Sequence, residues 1–471
     1  MKKKIFFGII ITVFISVNTG YPQDPDKTKT GTMPASISKE DKSKFIESAS
    51  KLLNEYYVFP EIAEKIETYL KTKLEQGVYD TISNIMVFTE VMTNDMQSVS
   101  HDKHMRVRLE PPPIVKTEKD DPALNALLGK KELAETNYGF AKVEVLKGNI
   151  GYIDLRRFAP LELGKENASA AMKLLSNSYA IIFDLRKNGG GNPEMIQYIC
   201  SFFFDQPTHL NSLYYRKGDK TTEYWTLKSI DGKKMADVPL YILTSKYTFS
   251  GGEEFCYNML TRKRATLIGE VTGGGANPGT IFPVYKNLMV FIPTGKAINP
   301  VTGTNWEGTG VKPDIEIPAD KALDLAIDKA AADAKKYREA RLDELVVSYK
   351  EIHAKIDEAE KLFNLKKDAE AEKMLSFALE TGLKDGILEE NFINDLGYNF
   401  LGKDENKIAI AVFKFNIRSF PDSANAFDSL GEAYLKNGDK KLATDNYKKS
   451  LELNPGNDNA RKILKDLTGT P

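Results

Sequence analysis

The chain has 471 residues, 41% hydrophobic and 28% charged, with 65 Lys+Arg against 66 Asp+Glu. That length suggests about three domains, and the composition excludes wholesale disorder, a collagen-like repeat and a multi-span membrane protein. The net charge of −1 supplies no excess of cations to draw the whole chain onto nucleic acid or an anionic membrane.

Lys2, Lys3 and Lys4 precede an apolar run over residues 5–17, followed by Asn18, Thr19, Gly20 and a polar stretch. This is the pattern of a secretory signal peptide, expected over 1–22; the apolar run is short for a bilayer span of about 20 residues, and the alternative reading is an uncleaved N-terminal anchor. The chain is therefore expected to be exported, periplasmic or secreted, with no integral span after cleavage. Cys200 and Cys256, the two cysteines, are too few for a disulfide framework or a four-thiolate metal site. Export permits a bond between them, but both lie in apolar helical patterns that suit buried free thiols equally well.

Residues 38–110 carry three helical stripes: Phe45, Ala49, Leu52 and Leu53; Ile62, Ile66, Leu70 and Leu74; Ile85, Phe88, Val91 and Met92. They predict a small helical bundle, closed by a short strand over 105–109. Residues 110–135 read as a loop with one short helix. From 138 to 320 strand and helix alternate. Strands are expected at 140–146, 150–155, 180–185, 240–244, 266–269 and 288–293, and helices at 168–177, 195–204 and 250–260. The run 180–185 is apolar except for Asp184, as a strand buried on both faces should be. The alternation predicts a layered α/β domain.

Residues 321–358 read as a connecting helix. Beyond it, Gly397 and Gly431, Ala409 and Ala443, Phe413 and Tyr447, and Pro421 and Pro455 each recur 34 residues apart. That period, with those residue types, is the tetratricopeptide signature. An all-α repeat domain is expected over 360–471, with residues 360–385 a degenerate first repeat. Such arrays bind peptides or proteins in a concave groove.

Four segments carry residues suited to chemistry. In PLYILTSKYTFSGGEEFCYNML, residues 239–260, a buried strand leads through a polar turn to a helix. Ser250 would sit at the helix N-terminus, near free N–H groups and the positive dipole end. Gly251 and Gly252 allow close approach of a substrate carbonyl, as an oxyanion hole needs. The same Ser250 and Glu253 spell S-x-x-E, so Ser250 also reads as a simple N-cap in a capping box. In DLRKNGGGNP, residues 184–193, three glycines close a buried strand. They read either as a tight turn or as a source of a second oxyanion donor, first Gly190, then Gly189 or Gly191. A phosphate-binding loop is disfavoured because no Lys-Ser/Thr follows. His101-Asp102-Lys103-His104 offers imidazoles that could activate a serine or, with a single carboxylate, make a weak metal cluster. Glu307, between Trp306 and Gly308, reads as a solvated loop charge or as a carboxylate that orients an imidazole.

Together these segments resemble the C-terminal-processing, or tail-specific, serine peptidase family. The similarity is to the branch that holds the interphotoreceptor retinoid-binding protein modules and the tricorn protease core. It spans about 60–320 and is carried by EYYVFPEIAEKI, DKHMRV, GNIGYIDLRRF, IIFDLRKNGGG, LTSKYTFSGGEEF, TGGGANPG and INPVTGTNWEGTGVKPD. The resemblance implies a crotonase/ClpP-like α/β core behind an N-terminal helical bundle. By position it implies Ser250 as nucleophile, His104 as base, Glu307 as the orienting carboxylate, and Gly190 and the Gly251 N–H as oxyanion donors. His101 would be the substitute base. No metal or cofactor is implied.

The chain departs from the family at three points. The Lys of a Ser–Lys dyad, some 25 residues after the serine in many bacterial members, falls here on Gly273-Gly274-Gly275-Ala276. Tricorn-like sites carry a Ser before the His; here it is Lys103. The usual PDZ domain has no room between Leu109 and Gly139. The reading is an exported serine endopeptidase acting on proteins or peptides. The alternatives are a non-catalytic carrier of apolar ligands, or a protein-binding platform built on the repeats. An acyl-CoA enzyme of the crotonase type fits the export signal poorly.

Overall fold

A computed structural model describes residues 36–110 and 122–469. The expected signal segment 1–22 lies outside the described residues, as do 111–121 of the loop expected over 110–135; the helix expected there is α4 (Pro122–Glu135). The chain divides between Tyr337 and Arg338 into two compact units.

The first unit opens with α1 (Lys39–Tyr56), α2 (Pro60–Glu75) and α3 (Ile85–Ser100). Ser38 and Asp41 form a reciprocal capping box at the start of α1. Pro60 occupies the first position of α2, where its missing N–H costs nothing. Asn84 caps α3 by accepting from the N–H groups of Met86 and Val87. The three expected stripes meet in one core, with Phe45, Leu53, Ile66, Leu70, Phe88 and Met92 all fully buried. Val290 and Ile292 of β10 (Leu288–Pro293) complete that core. β10 pairs antiparallel with β1 (Arg106–Leu109) on one side and β9 (Gly279–Tyr285) on the other. The short segment between α3 and β1 is therefore held at both ends, and it carries His104.

The second layer is a six-stranded sheet. Its order is β12 (Ile315–Glu316), β8 (Thr266–Gly269), β7 (Leu240–Thr244), β4 (Ala180–Asp184), β3 (Ile150–Leu155) and β2 (Phe140–Leu146). All neighbours are parallel except β2 with β3. The continuous apolar runs of β4 and β7 follow from coverage on both faces. Ile181, Phe183, Leu240 and Ile242 point into a core shared with α5 (Leu161–Leu174), α6 (Pro193–Cys200) and α7 (Gly251–Thr261). Ala180, Ile182, Tyr241 and Leu243 point the other way, onto Ala322, Ala326, Ala330 and Ala334 of α8 (Ala319–Asn364). That i, i+4 alanine stripe lets a helix lie close against the sheet. A third, antiparallel sheet joins β11 (Gly295–Ile298), β5 (His209–Tyr215) and β6 (Lys220–Trp225).

Several elements differ from expectation. The helix expected from residue 168 begins at Leu161, right after Pro160, whose fixed φ suits a helix entry. The strand β6, KTTEYW, is polar with one buried residue, so no apolar run announced it. Cys200 and Cys256 are both buried and free, and burial pushes both thiols up. No helix of the described residues is long and apolar enough to cross a membrane.

The second unit holds the end of α8, then α9 (Asp368–Lys384), α10 (Glu390–Gly402), α11 (Asn406–Ser419), α12 (Ala424–Lys436), α13 (Lys440–Leu453) and α14 (Asp458–Thr468). The connecting helix and the first helix of the expected repeats are thus one helix. Positions 34 residues apart do the same work. The Gly397 backbone sits against the Phe413 ring, as that of Gly431 sits against the Tyr447 ring. Ala409 and Ala443 are both fully buried.

Candidate active site

Parallel strands β4, β7 and β8 end side by side, and the loops that leave their carboxyl ends build the site. Such edges are where open α/β sheets bind ligands. The loops are stitched together. Thr248 Oγ1 donates to Leu185 O (2.8 Å), Ser245 Oγ to Arg186 O (2.6 Å), and Phe249 N to Asn188 O (3.0 Å). Ser250 is the residue before α7, half-buried, with φ 52 and ψ −122. A positive φ on a residue with a Cβ is strained by about 1–3 kcal/mol, and the surroundings hold it there.

The group that does most of the holding is Glu253, fully buried. Its Oε1 accepts from Thr272 Oγ1 (2.5 Å) and Gly274 N (2.6 Å), and its Oε2 from Gly275 N (2.8 Å) and Ser250 N (2.8 Å). Burial raises its carboxyl above the usual range, and these four donors only partly offset that rise. The S-x-x-E pair is thus more than a helix cap: the carboxylate locks the loop 272–275 onto the serine's own N–H.

The glycine loop packs on the serine. A Cβ on Gly190 (φ 102) would lie 2.8 Å from Gly251 N and 2.9 Å from Ser250 Cβ. The N–H of Gly190, however, donates to Asn188 Oδ1 at 2.8 Å, and that of Gly189 to Arg156 O at 3.3 Å. This corrects the expectation that Gly190 offers the free donor. Gly191 forms a parallel bridge with Phe158. Phe158 N bonds Gly190 O and Phe158 O receives Asn192 N, so the Gly191 N–H turns away from the bridge. Among the described residues neither Gly191 N–H nor Gly251 N–H has an acceptor. The two groups are neighbours, since a Cβ on Gly251 would lie 2.9 Å from Gly191 N.

His104 is half-buried, its ring against Phe249 (centroids 4.6 Å apart) and Phe291 (5.7 Å). Ligand-type atoms of Asp102, His104 and Glu307 lie within 4.8 Å of one another. Glu307 Oε2 accepts from Ala276 N (2.6 Å) and Asn277 N (3.2 Å). Its Oε1 and His104 Nδ1 are both buried without a partner among the described residues. Burial, with Arg106 and Arg108 adding like charge, pushes the imidazole down to about 3. This favours the neutral imidazole, the form that can accept a proton. Burial and the neighbouring Asp102 push Glu307 up to about 8. His101, the substitute base, is the left-handed C-cap of α3 with an exposed ring.

Ser250, Gly190, Gly251, His104 and Glu307 thus come from four places in the chain. No hydrogen bond joins Ser250 to His104 among the described residues; the Phe249 ring packs against the imidazole. Reacting groups in free sites are often apart until substrate arrives. Sequence reasoning missed Asp102 as a contributor at the imidazole, together with Asn277, which donates to it at 2.9 Å. The sequence ranked Gly191 behind Gly190, because the Asn188 acceptor and the Phe158 bridge are not visible in it. A buried acid two residues before the histidine was visible in the sequence, but its burial was not. The His104–Asp102–Glu307 group has cation-ligand spacing, yet Asp102 already receives three protein donors.

Residues 149–317 match the model of peptidase family S41, and residues 39–140 match the N-terminal domain of peptidase S41 in eukaryotic IRBP. The carboxyl-terminal-processing peptidase 1, chloroplastic, of Arabidopsis thaliana is 27% identical over 210 residues, 44% of this chain and 42% of that one. The tricorn protease of Thermoplasma volcanium is 28% identical over 217 residues, 41% of this chain and 18% of that one. The chain therefore spans less than half the length of these curated relatives. A solved tricorn protease structure aligns with a TM-score of 0.41 at 15% identity, over 63% of this chain and 37% of that one.

Proposed function

Because the chain belongs to peptidase family S41, we propose that it is a serine endopeptidase cleaving proteins or peptides, with Ser250 as nucleophile. The support that carries most weight is the strained Ser250 just before α7, beside two backbone N–H groups that have no acceptor among the described residues. Ser250 Oγ attacks the scissile carbonyl. His104 takes its proton and later returns it to the leaving amine. Glu307, once ionised, orients the imidazole and stabilises its cationic form. The oxyanion forms between the Gly191 and Gly251 N–H groups, while Gly190 supplies a backbone that can approach the serine. A lost oxyanion donor costs on the order of 10²–10³-fold in rate.

In this reading, residues 1–22 export the protein, 38–110 and 138–320 form the peptidase, and 321–358 lead into tetratricopeptide repeats over 360–471. The paired helices and their matched Gly–aromatic contacts favour the repeats as a protein-binding surface.

The test is labelling of the purified protein with a fluorophosphonate serine probe. Labelling of the wild type and none of Ser250→Ala is expected. Equal labelling of both, or of neither at any pH, would remove Ser250 as the nucleophile.

A further inference from the structure

Asp102 is the charged group at the site that this chemistry leaves unused. It is 1% exposed, deeper than either Glu307 or His104. Three donors converge on its carboxyl group: His104 N at 3.0 Å, Asn277 Nδ2 at 2.9 Å and Tyr57 OH at 3.5 Å. Glu307 is held differently. Two N–H groups reach its Oε2, while Oε1 has none. Two carboxyl groups this close in a buried site cannot both ionise freely, and the first proton lost leaves the better-donated oxygen pair. The remaining proton therefore belongs on Glu307 Oε1, the atom that must be anionic to accept from His104 Nδ1.

We propose that Asp102 is a positioning residue for the base: it shares one proton with Glu307 and sets the pH at which Glu307 becomes the anionic partner of His104. The proposal rests on the serine peptidase reading. At lower pH the pair holds one proton and carries one negative charge. At higher pH that proton leaves to solvent from Glu307. The imidazolium formed when His104 takes the Ser250 proton then faces a carboxylate.

The other groups around the pair fit this assignment. From α7, Glu253 adds negative charge and raises Glu307 further. Burial is the main force that lowers the His104 imidazole, and Arg106 and Arg108 from β1 add to it. Lys103, which stands where tricorn-like sites have a serine, turns its Nζ onto Gly273 O at 2.6 Å. Tyr57, beyond α1, has its phenol pushed up by burial and by Asp102, so it stays a donor. From β10, the uncharged Phe291 stacks on the ring.

The experiment measures the pH dependence of fluorophosphonate labelling in the full chain and in Asp102→Asn, with unfolding monitored in both. The wild-type rate should rise with pH through about 8. In Asp102→Asn the rise should move down by about one to two pH units, so that the variant labels faster than the wild type near neutral pH. A lower rate with an unmoved inflection would mean that Asp102 is merely structural. A second readout does not need activity. In Ser250→Ala, the infrared band of a protonated buried carboxyl should vanish near the same pH, and at lower pH when Asp102→Asn is added. If Asp102→Asn does not fold, Asp102→Ser removes the same negative charge and should move the Glu307 band in the same direction. A band that does not move in either variant overturns the proposal. A band that moves in a protein that never labels removes the peptidase reading and leaves the carboxyl pair standing.

Discussion

Glu253 gives the sharpest link between fold and site, and Glu253→Gln and Glu253→Ala test it as a pair. Four donors and no acceptor face the carboxylate. The glutamine is nearly isosteric, so it leaves no cavity, but it replaces one acceptor oxygen with a donor NH₂ group. In one orientation the NH₂ faces Gly275 N and Ser250 N, and two N–H groups are orphaned. In the other it faces Thr272, whose hydroxyl can turn, and Gly274 N, so one is orphaned. The cheaper orientation predicts a loss of about 1–3 kcal/mol. The alanine orphans all three backbone N–H groups. At the same cost per group, and with water partly refilling the space, it should lose roughly 3–5 kcal/mol. The serine's positive φ is then no longer secured. Relaxation of about 1–3 kcal/mol of strain would lower the competent population about 5- to 150-fold. Urea unfolding gives the first quantity and fluorophosphonate labelling the second. An alanine variant with the wild-type unfolding midpoint and labelling rate would refute the reasoning. So would a glutamine variant as damaged as the alanine one, because the orphaned-donor count would then not be what matters.

Gly275→Ala should disturb the base, since its Cβ would stand 2.7 Å from His104 Cε1 and 2.3 Å from Phe249 Cζ; a fall in kcat of about tenfold or more, with KM less affected, is expected from steady-state kinetics on a peptide substrate. Glu307 ionises at about 8 in the fold against an ordinary 4.5. Between those values the folded chain keeps a proton that the unfolded chain has released, so stability falls as pH rises through that window. Urea midpoints should drop from about pH 5 to about pH 8 in the wild type, and less steeply in Glu307→Gln. In the second unit, Gly397→Ala would place a Cβ 2.5 Å from the Phe413 ring, whereas Gly431→Ala places one 3.2 Å from the Tyr447 ring. The first should cost about 1–3 kcal/mol by overpacking and the second less than about 1. Equal thermal shifts for the two would contradict the repeat geometry.

Local burial made much of the fold readable from sequence. Strands β4 and β7 announce themselves because a sheet covered on both faces admits apolar side chains at every position. The bundle helices show their stripes because one face of each is buried in one core. The 34-residue period is legible because Gly397 and Gly431 must each admit an aromatic ring. The edge strand β6 could not be read, since its stability comes from backbone pairing with β5 rather than from apolar side chains.

The site divides in the same way. Ser250 before Gly251-Gly252, the Gly189-Gly190-Gly191 triplet, and Glu307 beside Trp306 are local patterns, and the amino-acid order alone identified them as candidates. Which glycine N–H stays free depends on Asn188 and on the bridge to Phe158. Which acid governs the base depends on Asp102 being enclosed by Tyr57 and by Asn277. Those partners come from segments as much as 175 residues away. Charge and hydrogen bonding act through space, so only the folded chain decides which donor is left over and which carboxyl keeps the proton.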